Sequence, residues 1–436
     1  MTEQLQVGRS GMNHPEFQRV AALIKPEAVR DTLAEMVDIA SPTGREIGMA
    51  RYLEDRMRKI GLETELQLVD EGRPNAVGHL RGRGTGTNLL FTGHMDTSYS
   101  GEEEYLQGAG FKPRAIVRDG WMWGLGANNM KSGLAAALVA IEAIVRAGVK
   151  LDGDISFGAV VGEIEKAPVE EFQGLDYSGY GAGSKYMVTH GVTADYALLV
   201  EPTGLRISNA NMGAIWLRIT VDGGTVAHSA FAHRPGIVNA IAMMHDLQKD
   251  IMQWTADYQK RHHYMNEHAN VTIACIRGGA PWRLSRNPRE CSLYLDIRTV
   301  PGQTVDDVKR ELRAVLAGFA ARTGTPEPQV YVYVSDPPTV IDESLPVVGA
   351  LRKAQAAVMN ESPATIMRRP GADAVHFSAY GVPCVVFGPG GRMHPEARSG
   401  AMHAVGEHVL LDDVVTAARI YLATALDLCN RKPRAN

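Results

Sequence analysis

The feature that most constrains the fold is a repeated design in the first half of the chain: a short apolar run that ends in polar, chemically capable residues. NLLFTGHMDT, residues 88 to 97, is one such run, and DISFGAVVGEIE, residues 154 to 165, is another. Each has the length and composition of a strand buried on both faces. Between them, Met130 to Ala147 is rich in Ala, Leu, Val and Ile and closes with Gly148, as a helix would. Strand, helix, strand implies a parallel sheet covered by helices, whose ligands sit at the strand C-termini. YALLVEPTG (196 to 204) and VPCVVFGPGG (382 to 391) fit two more strands of that sheet. Upstream, Glu27 to Ile60 reads as helix, turn, helix, with the turn at Ser41 to Gly44.

The long stretch between the last two strands reads differently. It runs from the alternating IWLRITVDG through a helix over Val238 to Trp254, then SLYLDIRTV, a helix over Val305 to Phe319, and QVYVYV. This order predicts a small α+β sandwich inserted into a larger α/β domain. The expected division is a catalytic domain over residues 1–207 and 336–436, interrupted by a lid or dimerisation domain over 208–335. The chain's 436 residues suit two to three domains at roughly 100–200 residues each. With 45 Lys plus Arg against 49 Asp plus Glu, the net charge of −4 offers no basic field, so nucleic acid is not an expected partner. No run approaches the roughly 18 apolar residues of a membrane span, and the N-terminus resembles no signal peptide, so no membrane association and a cytoplasmic location are expected. Cys275, Cys291, Cys384 and Cys429 lack metal or redox spacing and read as reduced, mostly buried thiols. His262, His263 and His268 read as a solvated surface.

The strand tips carry the candidate chemistry. His94 and Asp96 form a His-x-Asp pair, in which an imidazole can bind a metal while a carboxylate receives its other N–H. GLGANNMKSG (124 to 133) puts a glycine-rich turn and two asparagines at a helix start, and GEIEK puts Glu163 at the next tip. That glycine segment fits neither a Walker loop nor a dinucleotide fingerprint. Asn129 also suits a helix N-cap, a role compatible with coordination. Glu201 in VEPTG and His403 in MHAVGE complete the set.

Taken together, SPTGRE (41 to 46), GHMD (93 to 96), GLGANNMKSG, VEPTG, GTVAHSA (224 to 230), GIVNAI (236 to 241), LDIR (295 to 298), GADA (371 to 374), FGPGG and MHAVGE make the chain resemble the aminoacylase, acetylornithine deacetylase and succinyl-diaminopimelate desuccinylase superfamily of metallohydrolases. The resemblance covers residues 27 to 428. It implies a metal-bound hydroxide that attacks a C–N bond of a small-molecule carboxylate, and a homodimer or higher homo-oligomer. By this resemblance His94 is a ligand of the first metal, Asp96 its orienting carboxylate, Glu201 the carboxylate on the same metal and Glu163 the general base. His403 matches the histidine of the second metal. His228 matches the lid histidine that polarises the scissile group, its alternative being a hydrogen-bonded sheet histidine. Asn239, in GIVNAI, is expected to face substrate. Arg283, Arg286 and Arg289 offer carboxylate clamps or a solvated face.

Two positions depart from the family pattern. Its bridging aspartate is Asn129 here, and the second-metal glutamate aligns with Ile164. Two divalent ions roughly 3.5–4 Å apart repel by about 15–20 kcal/mol at an effective dielectric near 20, and the carboxylates that offset this are gone. One divalent transition metal per chain is therefore expected, Mn, Zn or Co, held by His94, Glu201 and the Asn129 carbonyl. His403 is then free for substrate. The leading specific expectation is deamination of 5-nitroanthranilate to 5-nitrosalicylate, because a ring nitro group can take up negative charge without a second Lewis acid. N-acyl amino acid deacylation or dipeptide hydrolysis is the alternative, and a metal-free binding or assembly protein on the same fold is the third.

Overall fold

The computed structural model describes residues 15–399 and 406–433. The chain forms two compact units. One comprises the residues through Asn209, Ile341–Ile366 and Ala372 onward; the other comprises Ala210–Val340 with Met367–Gly371. Among the described residues no helix is long and apolar enough to cross a membrane.

The first unit is built on most of a nine-stranded sheet. Its main strands are β1 (Glu63–Asp70), β2 (Arg73–Leu80), β3 (Leu89–His94), β4 (Ile155–Val160), β5 (Tyr196–Leu199) and β6 (Cys384–Val386). They lie in the order β1-β2-β4-β3-β5-β6, and three short strands complete the far edge. β4, β3, β5 and β6 are parallel, while β1 and β2 join antiparallel. The parallel strands are buried along their whole length, which is why they read as unbroken apolar runs. Their side chains still alternate between two cores. Leu89 and Phe91 of β3 face one, with helices Pro26–Val37, Ile47–Ile60, Ser132–Arg146 and Leu411–Leu428; Leu90 faces the other, with Ala182–Thr189 and Ala374–Ala379. Helices thus cover both faces of a mostly parallel sheet, as the sequence implies.

The helix after β3 begins at Ser132, two residues later than its apolar pattern suggests, because Ala127–Lys131 form a wider π-type turn that carries Asn129. Its Gly133 lies against the end of β5 so closely that a Cβ there would meet the Val200 carbonyl oxygen at 1.7 Å. Beneath the turn that follows β4, Arg73 and Glu46 form a fully buried pair, with Nε and Nη2 donating to the two carboxylate oxygens at 3.0 and 2.6 Å. Nη2 also donates to the Ser178 carbonyl at 3.0 Å. Removing one partner strands a charge in the core, so Arg73→Ala is expected to destabilise this unit by about 3–5 kcal/mol in urea unfolding. The double apolar replacement R73M/E46L is expected to recover most of that loss; a single variant as stable as the parent would refute the prediction.

The second unit has a four-stranded antiparallel sheet in the order Asn270–Gly278, Glu290–Thr299, Gly213–Asp222, Gln329–Asp336. Ile215, Leu217, Ile219 and Val221 point into its core, and Trp216, Arg218 and Thr220 alternate outward. Helices Ala240–Arg261 and Val305–Thr323 cover the inner face. The first outruns its expected end at Trp254 because Tyr258 continues the buried stripe of Leu247, Ile251 and Trp254. The strand Asn270–Gly278 carries little hydrophobic alternation because it is an edge strand with most residues exposed. His263 and His268 face each other across a two-residue hairpin, whereas His262 is partly buried, its Nε2 2.9 Å from Glu311. Cys291, Cys384 and Cys429 are buried, Cys275 is exposed, and all four are free thiols.

Candidate active site

Because β3, β4 and β5 are adjacent and parallel, their C-termini open at one edge of the sheet. His94 ends β3, Glu163 lies in the turn after β4 and Glu201 follows β5. A ligand atom from each of these three lies within 4.8 Å of the other two, and they form the one such group of His, Cys, Asp or Glu among the described residues. The π-type turn brings in Asn129, whose Oδ1 is 3.3 Å from His94 Nε2. Glu163 Oε2 is 3.4 Å from the same nitrogen.

Asp96 does more than orient the histidine. His94 Nδ1 lies 2.9 Å from the Asp96 backbone carbonyl and 3.4 Å from its carboxylate, so the carbonyl is the nearer partner. The carboxylate accepts hydrogen bonds from Thr43 Oγ1 at 2.9 Å and from the backbone N–H groups of Glu163 at 3.0 Å and Ile164 at 3.2 Å. One side chain thereby ties the tip of β3 to the turn that carries Glu163. The Ile164 side chain is itself buried and apolar.

The electrostatics describe a site that gathers negative charge. Burial opposes an imidazolium at His94, but Glu163, Asp96 and Glu201 outweigh it and hold the pKa well above the ordinary histidine value. Burial, followed by the neighbouring Glu201 carboxylate, raises the Glu163 pKa well above the usual range. Desolvation also acts on Asp96, yet its bonds to His94, Glu163 and Thr43 prevail and lower its pKa. Two adjacent carboxylates, Glu201 buried and Glu163 mostly so, are costly unless a cation sits with them. An imidazole nitrogen, carboxylate oxygens and a neutral amide oxygen are donors suited to Mn, Zn or Co, so these residues fit a divalent transition metal.

Three further residues border the site without an expected role. Asp373, from GADA, is buried; desolvation, partly offset by the Ser184 hydroxyl donating at 2.6 Å, lifts its pKa to about 7. Lys131 is buried beneath the Asn129 turn and donates to the Met36 and Ile39 carbonyls at 3.0 and 2.8 Å. Glu407, the last residue of MHAVGE, accepts backbone hydrogen bonds from the same turn. The motifs that contain them were visible, but their partners were not.

The second unit holds the other candidates. His228 is exposed and accepts at Nδ1 from the Ala230 N–H at 3.2 Å. Asn239 caps helix Ala240–Arg261, its Oδ1 accepting from Ile241 and Ala242. Arg289 is paired with Asp222 through Nε and Nη2, at 3.2 and 3.3 Å. Each has a partner within its own unit. His403 lies outside the described residues.

The sequence profile of Peptidase family M20/M25/M40 matches residues 90–427. The chain belongs to that family. As an M20 protein it is a metal-dependent hydrolase of C–N bonds, which sets aside a metal-free binding protein. It is 25% identical over 435 residues to the N-formyl-4-amino-5-aminomethyl-2-methylpyrimidine deformylase of Bacillus subtilis, covering 92% of this chain and 94% of that one. Its fold is similar to a tripeptidase from Staphylococcus aureus, with a TM-score of 0.73 at 20% identity over 94% of this chain and 100% of the other. An aminopeptidase from Bacillus cereus gives 0.71 at 19% identity over 93% and 99%. M20 enzymes usually carry two metal ions.

Proposed function

We propose that this M20 protein hydrolyses a C–N bond of a small carboxylate with one divalent transition metal per chain, Mn, Zn or Co. His94, Glu201 and the Asn129 side-chain oxygen would hold the ion, and Glu163 would act as general base. The observation that carries this reading is the group of one imidazole and two carboxylates, joined by a neutral Asn129 and bordered by an apolar Ile164. Among the described residues the group holds two carboxylates, so a second ion would add two positive charges with no further carboxylate in it. When bound, the ion supplies Lewis-acid chemistry, acidifying water and stabilising negative charge.

The protein's own residues then divide the work. The Asp96 carbonyl holds His94 Nδ1, which turns Nε2 toward Asn129 and Glu163. Glu163, with its raised proton affinity, can take a proton from water and return it to the departing nitrogen. His228, Asn239 and Arg289 of the second unit, together with His403, are proposed to face substrate.

Hydrolysis of 5-nitroanthranilate, in which water replaces the ring amine to leave 5-nitrosalicylate and ammonia, is the leading specific reaction. It suits a site with few anionic ligands, since the ring and its nitro group accept the charge that a second ion would otherwise meet. The deformylase relative favours a second reading, cleavage of an amide such as an N-acyl amino acid, a dipeptide or a formyl amine. Protein loaded with Mn, Zn or Co, assayed on both substrate classes with elemental analysis of metal per chain, separates them. Ammonia and nitrosalicylate with one ion per chain is the expected result. Acyl turnover with one ion selects the amide reading, and two ions per chain overturn the site assignment.

A further inference from the structure

We propose that Glu407 is a positioning residue that aims the Asn129 side chain at the metal site. Its Oε2 accepts the backbone N–H of Asn129 at 2.8 Å and that of Asn128 at 3.2 Å, from 278 and 279 residues away in the chain. Glu407 is itself anchored at both ends of its backbone: its N–H donates to the Gly110 carbonyl at 3.0 Å, and its carbonyl accepts from Gly124 at 3.2 Å. Asn128 is held from a third side, where its Oδ1 accepts the Gly391 N–H at 2.8 Å. From the turn so held, the Asn129 Oδ1 reaches to 3.3 Å from His94 Nε2, while the neighbouring Met130 Sδ accepts the His94 backbone N–H at 3.1 Å.

A carboxylate is well suited to this task. It accepts two neighbouring N–H groups through one oxygen, in charge-assisted bonds about twice as strong as neutral ones. An asparagine ligand needs such support more than an aspartate would, because a neutral amide is drawn to a cation weakly and gains most from being pre-aimed.

The inference rests on the reading of Asn129 as a metal ligand, and the test keeps the two apart. Mn²⁺ dissociation constants are measured by titration for the parent, N129A, E407A, E407Q and the N129A/E407A double variant. E407A is expected to weaken Mn²⁺ binding about 10–100-fold, and E407Q, whose amide oxygen still accepts the N–H groups, less than E407A. In the N129A background the effect of E407A is expected to shrink to about twofold or less, because the atom through which it acts is gone. Equal losses in both backgrounds, or unchanged affinity in E407A, overturn the positioning role. If N129A alone leaves Mn²⁺ affinity unchanged, Asn129 is no ligand and both readings fall. Should E407A fail to fold, E407Q carries the same cycle.

Discussion

Glu163→Gln is expected to lower kcat by about 10²–10⁴-fold while the protein stays folded and keeps its metal. The substitution preserves size and removes both the negative charge and the proton-accepting oxygen. Glu163 sits 3.4 Å from His94 Nε2, so it borders the reacting centre. Its loss also removes one of two adjacent carboxylates, which relieves repulsion with Glu201. Thermal stability of E163Q without metal is therefore expected to match or exceed that of the parent, even as turnover collapses. Single-turnover assays beside metal analysis and a thermal melt give all three quantities. A variant with unchanged kcat would dismiss Glu163 as the base, whereas loss of metal together with activity would reassign it as a ligand.

Removing His94 strikes the other half of the site. His94→Ala deletes the one imidazole of the group and leaves its two carboxylates, Glu163 and Glu201. Metal content is expected to fall from one ion per chain to below about one tenth at micromolar ion, with turnover falling in proportion. In the parent, saturating Mn²⁺ at about a hundred times its dissociation constant adds roughly 2.7 kcal/mol to folding stability by mass action, and a chelator abolishes the gain. In H94A neither addition nor chelation is expected to move the melting curve. A metal-dependent shift that survives in H94A would place the ion elsewhere in the chain.

What was legible in the sequence, and what was not, follows from the range of the interactions. His94, Glu163 and Glu201 stand at the ends of short apolar runs, so the strand that carries each residue also announces where it ends. The parallel sheet followed from the need for a helix between two buried strands. The start of that helix did not, because Ala127–Lys131 wind in a wider turn whose closure depends on Glu407 and Lys131. The Asp96 carboxylate reads as a partner for histidine at a spacing of two, while its bonds to Glu163 and Ile164 span 67 and 68 residues. Asp373 meets Ser184 across 189. Contacts of that range leave no periodicity in the chain, and they emerge only once the sheet has set its strands side by side.

Gly133 is not among the candidate ligands, yet it sets the gauge of their group. The helix that begins just after Asn129 rests on the Val200 carbonyl with no side chain between them, and Glu201 is the next residue along. Even a methyl group would have to prise the two segments apart, since its carbon would stand 1.7 Å from an oxygen. In a library of all single substitutions screened for activity, position 133 would accordingly be as blank as His94. The reason would be different: a site can be erased by a spacer as surely as by the loss of a ligand.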